Sequence, residues 1–125
     1  MSKKETPLTR RYWNEIGGTL IEEFPAVSLG PDHGKRILDG VVVLGAPKRI
    51  AKSNEVDIRN KDIVIIQTKA QRLGMYLLGQ ALFSKHLMKP FKPRSIQTVA
   101  VCTKGDAVLE PLARRYGIKV IVYTG

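Results

Sequence analysis

The sequence predicts an α/β fold, a central mixed β-sheet flanked by helices in the order α-β-β-β-α-β-α-β. Three observations carry this. Residues 41–44 and 63–66 are apolar at consecutive positions, the pattern of strands covered on both faces. Strand-like segments follow one another in the first half and alternate with helical ones in the second. The chain has 125 residues, 43% hydrophobic and 26% charged, which suits a single domain, 1–125, around one core.

Residues 7–16 read as the first helix. Thr6 is a candidate N-cap, and Pro7 suits the first helical position. Leu8, Tyr12 (or Arg11), Trp13 and Ile16 recur at helical spacing before Gly17-Gly18 ends the run. Residues 19–28 form a strand whose Pro25 places it near a sheet edge or at a bulge. Residues 30–34 are a turn, and residues 36–44 the second strand. Residues 45–60 are polar and basic without a period, a long loop with room for a small hairpin around residues 55–58.

The third strand covers residues 62–68, and residues 70–88 form the longest helix. One stripe of that helix, through Gly74, Leu77, Leu78, Ala81, Leu82 and Met88, is expected on the sheet. A second, through Tyr76, Phe83 and Leu87, is expected to meet the first helix or another subunit. A basic, proline-punctuated connector leads to the fourth strand at residues 95–103. Asp106 is a good N-cap for a helix to Tyr116, Gly117 closes it, and residues 118–123 are the last strand.

A formal net charge of +10 and a pI near 10.0 point to a polyanionic partner. The distribution is lopsided. From Ile63 to Gly105 there is no carboxylate, while Lys69, Arg72, Lys85, Lys89, Lys92, Arg94 and Lys104 fall in that stretch. The acids, among them Glu5, Glu15, Glu22, Glu23 and Asp39, lie mainly before it. No apolar run approaches the ~20 residues that span a bilayer, and the polar N-terminus is unlike a signal peptide. Cys102 has no partner cysteine, which suits a buried thiol in the cytoplasm. His33 and His86 lack partners at zinc spacing.

Gln67 and Lys69 stand two apart at the end of a buried strand, so alternation sets them on one face. Asp39 interrupts the apolar run of the preceding strand and is followed by Gly40. If the two strands are neighbours, Asp39, Gln67 and Lys69 converge. A carboxylate and an amide oxygen are hard ligands suited to Mg²⁺ or Mn²⁺. A lysine beside them orients water or neutralises charge building on phosphorus.

In this order and with Asp39 followed by Gln67-Thr-Lys69, the chain resembles the PD-(D/E)XK nuclease superfamily over about residues 8 to 123. The resemblance implies a restriction-endonuclease-like core and a metal-dependent endonuclease cleaving DNA. Asp39 and Gln67 would hold Mg²⁺ or Mn²⁺, and Lys69 would activate water. Gln67 replaces the usual acid of the triplet, as in branches similar to Mrr-type enzymes, and removes one negative charge. A further acid is expected from Glu15 on the first helix, or from Glu22 or Glu23 on the first strand, with Glu23 favoured. Backbone contacts to double-stranded DNA are expected from Lys48, Arg49, Lys52, Arg72, Lys85, Lys89, Lys92 and Arg94. A domain this small would act as a homodimer or as a subunit of a larger complex. The alternative is an inactive protein of the same fold that binds nucleic acid or serves as an interaction subunit.

Overall fold

The structure, a computed structural model, describes residues 2–124. Helix α1 (Glu5–Ile16) starts two residues earlier than predicted, because a capping box lies upstream of Thr6. The Glu5 N–H donates to Ser2 Oγ and the Ser2 N–H to Glu5 Oε1, both at 3.2 Å. Gly17, at φ 75°, ends the helix with its N–H on the Trp13 carbonyl.

Six strands form one mixed sheet: β1 (Thr19–Val27), β2 (Arg36–Val43), β3 (Arg49–Ala51), β4 (Asp62–Arg72), β5 (Ser95–Lys104) and β6 (Ile118–Val122). Helices α2 (Met75–Met88) and α3 (Leu109–Arg115) complete the chain. The spatial order is β3-β1-β2-β4-β5-β6. β2 runs antiparallel to β1 and β4, while β5 and β6 continue parallel to β4. Among the described residues no helix is long and apolar enough to cross a membrane.

The α/β sheet flanked by helices is as expected; besides the earlier start of α1 and a start of α3 at Leu109, three residues past Asp106, two differences change how the elements join. The loop after β2 contributes a short strand, β3, parallel to the start of β1, and not a hairpin. β3 pairs only with Thr19, Leu20 and Ile21, so Pro25 stays on the uncovered part of the strand beside a register shift. The second difference is the start of α2. β4 runs on through Arg72, pairing it with Lys104 across an irregularity, and Leu73 donates to the Lys104 carbonyl. Tertiary pairing therefore overrides helix propensity in residues 70–74.

α1 covers one face of the sheet, packing Tyr12 and Trp13 on Leu20, Val42, Val64 and Val101. On the other face Met88 of α2 packs with Ile21, Val41, Val43 and Ile65, while Leu77 and Ala81 pack with Cys102 and Ala113. Strict alternation would put Leu38 and Phe24 on the α1 face with Val42 and Leu20. Instead both pack with the α2-side cluster. The phase changes where Glu23, at left-handed φ 51°, stands between the pairs Glu22–Gly40 and Phe24–Leu38. At the same level the β2–β4 ladder ends, Gly40–Ile66 being its last pair.

Gly40 lets α1 close over this point. A Cβ there would meet Leu20 Cδ1 at 3.1 Å and Thr9 Cγ2 at 3.2 Å. Gly40→Val is therefore expected to cost ~1–3 kcal/mol by overpacking, read as a lower midpoint in denaturant titration. An unchanged midpoint would show that α1 yields freely.

Candidate functional site

Where β2 leaves β4, side chains replace the missing ladder bonds. Asp39 Oδ2 accepts the Thr68 N–H at 2.8 Å. The Asp39 N–H in turn donates to Gln67 Oε1 at 3.3 Å. Gln67, 4% exposed, donates its Nε2 to Ser84 Oγ of α2 at 2.8 Å. Ser84 spends its own proton on the Gln80 carbonyl at 2.6 Å, so its oxygen is free to accept. Both partners thus fix the orientation of the Gln67 amide.

The residue between Gln67 and Lys69 ties the site to α1. The Thr68 hydroxyl meets the Thr9 hydroxyl at 2.7 Å, buried beneath the helix. One turn earlier on α1, Glu5 Oε2 stands 4.0 Å from Lys69 Nζ. Glu5 is 14% exposed and Lys69 40%. The Lys69 ammonium also lies 5.9 Å from the centre of the Tyr76 ring.

Burial pushes the Asp39 carboxyl above its ordinary range. The Thr68 N–H opposes the rise, Glu5 adds to it by repulsion, and Lys69 pulls it down. Glu5 and Lys69 therefore share this corner with Asp39, whose carboxyl stays raised despite the attractions.

The structure brings Asp39, Gln67 and Lys69 together, as the sequence pattern suggests. The acid that joins them is Glu5. Glu15 lies ten residues further along α1, ~15 Å by helical rise, and takes the Tyr123 hydroxyl as its donor. Glu23 is exposed and lines a separate groove with Glu22, Pro25 and Lys52. Glu22 is paired with Arg10. Glu5 was legible through the Ser-x-x-Glu spacing at the chain start, which moves the helix upstream and puts Glu5 and Thr9 on one face.

The basic residues divide between the two ends of the sheet. Lys85, Lys89, Lys92 and Arg94 cluster towards the start of β4, where Arg94 is bonded to Asp62. Asp62 is seven residues before Lys69, ~23 Å along the strand. Lys48, Arg49 and Lys52 flank β3 at the sheet edge, with Arg49 4.0 Å from Glu55. Arg72 alone of the expected set stands near Lys69, its guanidinium donating to the Gly105 carbonyl. Lys35 and Arg36, absent from that set, wall a groove of about 710 Å³ whose other wall includes Tyr76 and Phe83 and which reaches Gln67.

Two carboxylates, Asp39 and Glu5, are what this corner offers a divalent cation. Among the described residues no group of three or more His, Cys, Asp or Glu side chains is placed to cage a metal. Mg²⁺ often needs only one or two carboxylates, with water and substrate phosphate completing its shell. Asp39 and Glu5 supply that many, and a cation beside them would offset the burial that raises Asp39 and the smaller repulsion from Glu5. Gln67 fits less well as a ligand, since its oxygen already holds the Asp39 N–H. No family model, characterised protein or solved structure matches the chain.

The raised Asp39 carboxyl has a stability consequence. Its proton is held more tightly folded than unfolded, so stability is lost as pH rises from the ordinary aspartate range through the raised value. Asp39→Asn keeps an acceptor for the Thr68 N–H and removes the charge. At pH ~7 it should melt a few degrees above the parent, and the gap should close on acidification through that window. Equal melting curves across pH would count against the assignment.

Proposed function

We propose that this chain is a divalent-metal-dependent endonuclease on a restriction-endonuclease-like fold, hydrolysing DNA phosphodiesters. The observation that carries the reading is the convergence of Asp39, Glu5 and Lys69 where β2 parts from β4. An acid on a strand, a lysine two residues after the triplet's first position and an acid on the first helix resemble the PD-(D/E)XK arrangement. On this reading Glu5 fills the place for which Glu15 and Glu23 were the sequence candidates.

Asp39 and Glu5 would hold Mg²⁺ or Mn²⁺. Bound there, such an ion lowers the pKa of its water and polarises the phosphate. Lys69 would offset the negative charge that develops on the phosphate oxygens. Gln67 acts as a positioning residue: it fixes the Asp39 backbone from one side and is itself fixed by Ser84. Lys35, Arg36 and Arg72 stand on the same end of the sheet and would take neighbouring phosphates. The net charge of +10 supports a polyanionic substrate.

One observation favours a second reading, a protein of this fold that binds nucleic acid without cutting it. Gln67 stands where the superfamily usually has an acid, and its amide is spent on structure. Nicking of supercoiled plasmid in Mg²⁺ and in Mn²⁺ separates the two. Lys69→Ala and Glu5→Gln are expected to slow nicking ~100-fold or more, while Glu15→Gln leaves it unchanged. Equal nicking by parent and Lys69→Ala would sink the catalytic assignment. Salt-sensitive binding without cleavage in either metal would establish the second reading.

A further inference from the structure

The outward side of α2 is unlike the rest of the surface. From Leu73 to Ser84 twelve consecutive residues carry no charge, in a chain that is 26% charged. Leu77, Ala81 and Ser84 of this run are buried against the sheet. Met75, Tyr76 and Phe83 are not: they are 78%, 72% and 68% exposed. Next to them a second groove, of about 290 Å³, runs between α2 and α3 and is lined by Leu78, Leu82, Leu112 and Tyr116. Depletion of charge over an apolar, aromatic patch is the mark of a protein interface core.

Gly79 lies between the two grooves and lines both. A glycine inside a helix is unfavourable relative to alanine. Nothing in this fold asks for it, because a Cβ at Gly79 would meet no atom within 4 Å. The space it leaves is on the outside, where another backbone can approach.

We propose that a second copy of this chain occupies this face, α2 against α2, with the helices crossing at Gly79. The patch is self-complementary. Tyr76 and Phe83, one turn before and one turn after Gly79, make a ridge on one flank of α2, and the α2–α3 groove offers a trough on the other, as a two-fold contact requires. Its area is sufficient. With ~150–250 Å² for a large side chain, the exposed parts of Met75, Tyr76, Phe83, Val108, Leu112 and Tyr116 come to roughly 700 Å², near the ~800 Å² each partner gives in a stable pair. Charge decides the partner. Two copies at +10 repel, and only a face without charge lets them meet without opposing like groups. The groove between α2 and α3 has no charged lining residue and so offers a nucleic acid no phosphate contact, while Lys35 and Arg36 stand across the Tyr76–Phe83 groove at the rim of the patch. The inference is independent of the catalytic reading.

Light scattering on the full chain tests it. At ~100 µM, where a Kd of ~1 µM leaves little monomer, the parent should have twice the 13.9 kDa chain mass. Phe83→Glu changes an exposed side chain, so it should fold normally and run as a monomer. Gly79→Ala is the sharper variant. It should melt at least as high as the parent at concentrations where both are monomeric, because alanine favours the helix. Its dimer should nevertheless dissociate about tenfold more readily. A monomeric parent would overturn the proposal. So would a dimer insensitive to both substitutions, or a monomer whose α2 face is protected only when a single-stranded oligonucleotide is added. Plasmid nicking enters none of these outcomes, so the two proposals fail separately.

Discussion

The parting of β2 from β4 after Gly40 is the constraint on which the site depends. A regular ladder would have used the Thr68 N–H and the Asp39 N–H for backbone pairing. Here Asp39 takes the first with its carboxylate and Gln67 takes the second with its amide. A hydrogen bond to a charged group contributes ~1.5–3 kcal/mol. That is not enough to offset the burial of the carboxylate, since the Asp39 carboxyl is still raised. The chain thus accepts an acid that is poorly compensated, held by two strands at the mouth of their split. The helices are bound into the same knot: α2 through Ser84 and α1 through the Thr9–Thr68 contact.

The backbone shows the strain that this arrangement needs. Glu23 adopts a left-handed φ with an ordinary side chain, costing on the order of 1–2 kcal/mol. It does so on the strand beside Asp39, at the level where both strands change phase. The change carries Phe24 and Leu38 into the α2-side core. It also frees Asp39 from the choice between the two faces, so its carboxylate turns along the sheet toward Thr68. Gly40, one residue on, keeps this from pushing α1 away. Strain in β1, an acid in β2 and a glycine under α1 are one device.

Much of this was legible in the sequence, and the illegible parts have physical reasons. The double-sided apolar runs of β2 and β4 gave away the central strands, and an acid inside one of them marked the site. The spacing of Gln67 and Lys69 told which strand end mattered. Alternation alone favoured Glu23, whereas the acid beside Asp39 is Glu5. It treats every strand residue as up or down, whereas Glu23 and Asp39 lie where the pleat changes phase. Two start signals compete at the first helix: Thr6-Pro7 favours a start past Glu5, while the Ser2-x-x-Glu5 spacing, which the fold uses, brings Glu5 into the first turn. The extension of β4 to Arg72 depends on pairing with Lys104, a partner more than thirty residues away, which no local pattern reports. The same holds for the basic residues, which form one sequence stretch but sit at opposite ends of the sheet.

Gln67 is the residue on which the proposed chemistry turns, and the network gives it a reason. A glutamate there would bring a third carboxylate to a corner where Asp39 and Glu5 already repel each other. It would accept the Asp39 N–H as well as the amide does, yet it has no proton to give Ser84, whose own is committed to Gln80. The amide satisfies donor and acceptor at no charge. The amide therefore adds no further negative charge beside Asp39 and Glu5, and Lys69 stays near them. On the proposed reading, an uncharged residue at this position keeps a third negative charge away from the half-buried Asp39.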